Sequence, residues 1–161
     1  MAYPPLDEFL PHRPPMLLLD AMTLAEERAV ACTVTVRENA PFVENGRTSA
    51  LLAVEYFAQA VAALFAYKAR SEGASNFRGL LLGVRDLDLA VSHFRVGDVL
   101  EVTCREHWGS GPVAHFQCVL TRDRERLVTG AITVLRGDPA ELSASSEPAS
   151  SRPLGPESTA P

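Results

Sequence analysis

The sequence predicts an α+β domain in which one long buried helix is wrapped by a curved antiparallel sheet of about five to six strands. Three observations carry that reading. From Ala50 to Tyr67 the only strongly polar side chains are Glu55 and Gln59, in a stretch rich in Ala and Leu. A helix that is apolar on nearly every side has to be covered, by protein or by lipid. Several other segments alternate apolar and polar residues, the period of a strand with one covered face. Short turn-forming connections join the later segments, which makes them antiparallel neighbours.

Taken in order, Pro4-Pro5-Leu6-Asp7-Glu8-Phe9-Leu10 reads as a short helix, with prolines suited to a first turn, acids just after them and Pro11 as the stop. Met16 to Leu24 is mostly apolar, and Ala29 to Arg37 sets Val30, Cys32, Val34 and Val36 against Thr33, Thr35 and Arg37, so two strands are expected. Asn, Pro and Gly mark Glu38 to Arg47 as a loop. The helix is expected over Ser49 to Glu72. Thr48 or Ser49 serves as its cap, Lys68 and Arg70 suit its C-terminal dipole, and Gly73 ends it. Its apolar run is near the ~20 residues needed to cross a bilayer. Glu55 and Gln59 lie inside it and no other span accompanies it, so burial in protein is the better account and no membrane is expected.

Four strand-like segments follow: Phe77 to Ala90, Val99 to Trp108, Val113 to Thr121 and Leu127 to Arg136. In the second, Leu100, Val102 and Cys104 oppose Glu101, Thr103 and Arg105; in the third, Ala114, Phe116, Cys118 and Leu120 oppose His115, Gln117 and Thr121. Ser110-Gly111-Pro112 and Asp123-Arg124-Glu125 have the look of hairpin connections. Gly137 to Pro161 is dominated by Pro, Ser, Ala, Glu and Gly, too poor in large apolar residues to offset ordering entropy. One domain is therefore expected over residues 1–136, followed by a disordered tail over 137–161.

Composition narrows the function. With 47% hydrophobic and 22% charged residues the chain is ordinary globular material, and a net charge of -5 without any basic run gives no footprint for nucleic acid. The three cysteines, Cys32, Cys104 and Cys118, each alternate with polar neighbours like core residues. The N-terminus carries neither a basic region nor an apolar run of the secretory kind, so a reducing, cytoplasmic setting is expected. No spacing matches a zinc site, a phosphate-cradling loop or a nucleophilic Ser or Cys motif, and no metal or cofactor is expected.

Two places could carry chemistry. Glu55 and Gln59 stand one turn apart on the greasy helix, so both side chains leave the same face. A carboxyl in apolar surroundings either finds a partner or is driven toward its protonated form, which is what a general acid requires. Glu55 is thus either a catalytic acid or a structural one bonded to a backbone amide or to an Arg across an interface. His12 sits between Pro11 and Pro14-Pro15, on backbone those prolines stiffen. Histidine is the usual general base near neutral pH; the other reading is that His12 and Arg13 merely anchor the loop. His93, His107 and His115 lie at a turn or on polar strand faces, and Asp86 and Asp88 alternate with leucines on what looks like a solvated face.

Leu10-Pro11-His12-Arg13 followed by Met16-Leu17-Leu18-Leu19-Asp20 resembles the opening of bacterial 3-hydroxyacyl-[acyl carrier protein] dehydratases, a hot-dog-fold family. Leu51 to Ala60, with Glu55-Tyr56-Phe57-Ala58-Gln59 at its heart, is similar to the family's helix, whose Glu-x-x-Ala-Gln core carries the catalytic acid. Phe94-Arg95-Val96-Gly97-Asp98-Val99-Leu100 is similar to the family's Phe-Arg and Pro-Gly-Asp-x-Leu segment. The most similar group is the dehydratase-like subfamily associated with aryl polyene biosynthesis. The resemblance implies dehydration of a 3-hydroxyacyl thioester, linked to acyl carrier protein or coenzyme A, to the trans-2-enoyl thioester. It also implies a homodimer, or a heterodimer with a related hot-dog subunit, with an acyl tunnel along the helix.

The sequence departs from the pattern in one place. The fatty-acid enzymes carry a catalytic His in a His-Phe-Pro-Gly loop before the helix, and here Asn39 to Ser49 holds no histidine. Either His12 takes the alpha proton while Glu55 protonates the departing hydroxyl, or the chain is a non-catalytic partner of an active dehydratase; thioester hydrolysis on the same fold is a third reading. Gln59, Gly46 and Phe42 are the candidate substrate-binding residues, with backbone amides near Gly46 or at the helix start available to polarise the thioester carbonyl.

Overall fold

A computed structural model describes residues 2–73 and 78–137. Eight strands and one α-helix follow a 3-10 turn at Leu6–Glu8: β1 (Ala21–Ala25), β2 (Ala29–Thr35), β3 (Arg47–Ser49), α1 (Ala53–Ser71), β4 (Arg78–Leu89), β5 (His93–Arg95), β6 (Val99–Ser110), β7 (Val113–Arg122) and β8 (Glu125–Gly137). Six of the strands form one antiparallel sheet in the order β1-β2-β6-β7-β8-β4, and β3 with β5 forms a separate ribbon. The sheet closes round α1, which is the hot-dog arrangement the motifs implied.

The alternation in the sequence becomes the inner face of the sheet. Val30, Cys32, Val34, Leu100, Val102, Cys104, Ala114, Phe116, Cys118 and Leu120 are all buried. They pack with Phe57, Ala60 and Leu64 of α1 in a single core. Each large apolar side chain so covered contributes about 1.5–3 kcal/mol. On length and composition α1 could cross a bilayer, and 61% of its most apolar window is instead buried inside the protein. All three cysteines are free. Burial pushes the Cys32 thiol up to about 12 from 9.0 and holds the Cys104 thiol well above its usual range.

Turn chemistry sets the connections. Asp123 and Arg124 both adopt positive φ, 51° and 68°, the geometry of a two-residue hairpin turn between Arg122 and Glu125. Asp98 closes the turn after β5: its Oδ2 accepts from the Arg95 amide at 2.9 Å, and Arg122 of β7 donates to both carboxylate oxygens. The Gly-Asp motif is thus a structural joint.

Three expectations shift. The first strand begins at Ala21 and not at Met16, because the backbone at Met16 and Leu18 is bonded to α1: Gln59 Nε2 donates to the Met16 carbonyl at 2.8 Å, and the Leu18 amide donates to Gln59 Oε1 at 3.0 Å, while the first amide to bond β2 is that of Asp20, to the Thr33 carbonyl at 2.8 Å. The helical segment opens as a 3-10 turn, Ala50–Leu52, with Ser49 Oγ accepting from the Leu51 amide. The ribbon of β3 and β5, three residues each, went unread, being too short for a period to show. The expected tail over 137–161 lies outside the described residues beyond Gly137, which ends β8.

The two edges of the main sheet differ. β1 is five residues long, bulged, and covered by the N-terminal segment, where Tyr3 Oη accepts from the Ala25 amide at 2.8 Å. β4 is twelve residues long and shows Leu80, Leu81 and Leu82 at its surface, 53%, 42% and 54% exposed.

Candidate active site

Gln59 organises the site. It is 1% exposed, and its amide is spent on three bonds: the two to the Met16 and Leu18 backbone, and one from Nε2 to Glu55 Oε1 at 2.7 Å. A buried amide left unpaired is costly, so these bonds fix both the carboxyl one turn earlier and the strap 12–18 against the helix. No described residue bonds Glu55 Oε2, and Glu55 is half-buried. One carboxyl oxygen is held and the other is free to meet a substrate.

The strap brings His12 to the same place. His12 and Glu55 line one cavity of about 140 Å³, walled by Ala58, Ala62, Phe65, Leu80 and Leu81. Arg13 does the anchoring: its Nη1 donates to the carbonyls of Leu10 and His12 at 2.6 and 2.8 Å. His12 does not share that work, because its Nδ1 is buried without a hydrogen-bond partner among the described residues. A buried ring nitrogen with nothing to bond carries a desolvation cost that the fold itself does not offset. The arrangement sets an imidazole and a carboxyl in the lining of one largely apolar cavity, the two kinds of group that paired proton transfers on a bound molecule require.

The candidates on the loop before the helix lie elsewhere. Phe42 is 61% exposed with φ at 65°, and Gly46 spends its carbonyl on the Val96 amide at 2.9 Å. Neither lines the cavity with Glu55. His93 is exposed beside Ser92, His107 is exposed, and His115 is half-buried against Thr133 Oγ1 at 2.8 Å. Asp86 and Asp88 are exposed. The walls contributed by β4 were missed, although three consecutive leucines on a strand must turn at least one outward.

A family model described as ApeP-like, ApeP dehydratase, matches residues 4–146. Among solved structures, the dehydratase heterocomplex ApeI:P from Xenorhabdus doucetiae is similar at 27% identity and a TM-score of 0.81, over 88% of this chain and 97% of that one. The TT0310 protein from Thermus thermophilus (16% identity, TM-score 0.58, 78% of this chain and 100% of that one) shares the fold. So does a hypothetical thioesterase from Streptococcus pneumoniae with coenzyme A (11%, 0.55, 73% and 84%). No curated protein matches the sequence. A match that takes in every element from the N-terminal 3-10 turn to β8 settles the lineage, and the chain belongs to the ApeP-like dehydratase family.

Proposed function

We propose that this chain dehydrates 3-hydroxyacyl thioesters on acyl carrier protein or coenzyme A to trans-2-enoyl thioesters, in a fatty-acid or aryl-polyene type of synthesis in the cytoplasm. One observation carries the reading: His12 and Glu55 share an apolar cavity within a single chain, the imidazole unbonded at Nδ1 and the carboxyl steered by Gln59. His12 takes the proton alpha to the thioester carbonyl, the carbon–carbon double bond forms, and the carbon–oxygen bond breaks as Glu55 protonates the hydroxyl, which leaves as water. Holding acid and base on opposite sides of the reacting bond supplies general acid–base catalysis of about 10²–10⁴-fold. Family membership supports the reaction class.

Purified protein is given 3-hydroxyacyl-acyl carrier protein and product is followed by mass spectrometry. Loss of one water, abolished in Glu55→Ala and in His12→Ala, is expected. Full turnover in Glu55→Ala would remove the acid from the mechanism, and release of free thiol without an enoyl product would point to hydrolysis.

A second reading has its own observation. Leu80 and Leu81 border the cavity and belong to the exposed edge strand, so a second hot-dog subunit laid along β4 would complete its wall. The similar complex from Xenorhabdus doucetiae is a dehydratase heterocomplex. On that reading this chain shapes the tunnel of an active partner. Activity that needs a mixture of subunits, and survives Glu55→Ala and His12→Ala in this one, is its signature.

A further inference from the structure

A second cavity, of about 340 Å³, lies along the same strap and shares no lining residue with the first. Pro14, Pro15 and Leu18 wall it from the strap, Pro41 from the loop after β2, and Leu52 and Tyr56 from the helical segment. Its volume falls at the lower end of small-molecule sites, and predominantly apolar walls with a few placed polar groups are their usual make-up.

Thr48, on β3, supplies the distinctive polar group. It is 2% exposed and lines the cavity, and its Oγ1 is buried without a hydrogen-bond partner among the described residues. A hydroxyl desolvated in this way is unfavourable until something accepts its proton. Charge is not what the cavity asks for. Its Arg37 is already held by Asp20 at 2.6 Å. Tyr56 stays neutral, its phenol pushed up to about 12 by burial and by the charge of Asp20. A charged guest would lose its hydration with no unpaired counter-ion to meet. Tyr56 is 3% exposed and stacked on Phe94 at 6.3 Å, so with the three prolines it makes a stiff, largely apolar wall.

We propose that this cavity is a binding site for a small, neutral molecule that offers one carbonyl oxygen to the Thr48 hydroxyl. The site is separate from the one holding His12 and Glu55 and does not depend on the reaction assigned there.

The test is a titration of the isotope-labelled full chain with acetophenone, a flat ring with one carbonyl, followed by amide chemical shifts. Saturable shifts are expected at residues 34–43, Thr48, Leu52 and Tyr56. Ethylbenzene, which lacks the oxygen, should bind about fivefold more weakly. Thr48→Val should remove that preference. Ala40→Trp, at a half-buried loop position on the cavity wall, should abolish binding of both compounds and gives an arm that does not depend on how Thr48→Val folds. Shifts confined to Glu55, Ala62, Leu80 and Leu81, no saturation, or acetophenone binding unchanged in Thr48→Val or in Ala40→Trp would each overturn the proposal.

Discussion

The two long sides of α1 have the same backbone and opposite chemistry. Toward the sheet stand Phe57, Ala60 and Leu64, each 0% exposed, with the Cys104 thiol 3.9 Å from the Phe57 carbonyl. Toward the strap stand Glu55 and Gln59, with Ala58 and Ala62 shaping a cavity. The first side has no polar side chain to satisfy and is closed by close packing alone. On the second, two polar groups are tolerated only because one is fully bonded and the other opens onto space. The contrast teaches where this helix can be altered without loss of fold, and where without loss of work.

The sharpest way to break that contrast is at Glu55. Glu55→Gln should lower turnover by about 10²–10⁴-fold, with the melting temperature nearly unchanged. A melting loss as large as that of a core truncation would make Glu55 a structural residue. On the sheet side Phe57→Ala should do the reverse, costing about 3–5 kcal/mol in urea unfolding by transfer and cavity effects, with turnover per folded molecule preserved. Gln59→Leu belongs to both sides. It leaves the Leu18 amide and the Met16 carbonyl unbonded, at about 1–3 kcal/mol, and should also depress turnover as His12 loses its seat. Hydrogen exchange at Leu18 reads the strap directly, and an exchange rate equal to wild type would refute the tie.

The smallest effect is alkaline. Burial raises Cys32 from 9.0 to about 12. As pH climbs above about 9 the unfolded thiol ionises first, so the folded state binds the extra proton and stability falls toward pH 12. The slope is at most about 1.4 kcal/mol per unit for this thiol. Tyr56, also pushed up to about 12, adds in the same direction. Urea melts at about pH 8 and about pH 10 should show the decline. Cys32→Ala should make it shallower, leaving the part that Tyr56 and the buried Cys104 thiol contribute, and an unchanged slope would mean the Cys32 thiol is not sealed.

What the sequence could show was whatever repeats. The helix and the inner face of the sheet follow from periods of 3.6 and 2, and Val30, Cys32 and Val34 landed where alternation put them. Met16 to Leu18 has the composition of a strand and is claimed by Gln59, more than forty positions away, a competition no local pattern encodes. The pairing of Glu55 with Gln59 was readable at i and i+4, and the bond at 2.7 Å follows from it. That His12 joins them was a matter of strap geometry. Phe42 and Gly46 are near the helix in sequence, yet left-handed backbone at Phe42, Asn45 and Gly46 turns that loop along a path apart from the Glu55 cavity. The second cavity is drawn from segments scattered between Pro14 and Tyr56, which no motif spans.

The tie from Gln59 back to Met16 spans 43 residues. It means that His12 reaches the cavity that Glu55 lines only after the beginning of the chain has docked on its middle. A collapsed form with α1 already wound but the strap still loose would hold both groups and no site. A bulky fusion ahead of residue 4 would press on that same docked segment, whose Leu6 and Leu10 belong to the core, and would be felt at the cavity and in the core together.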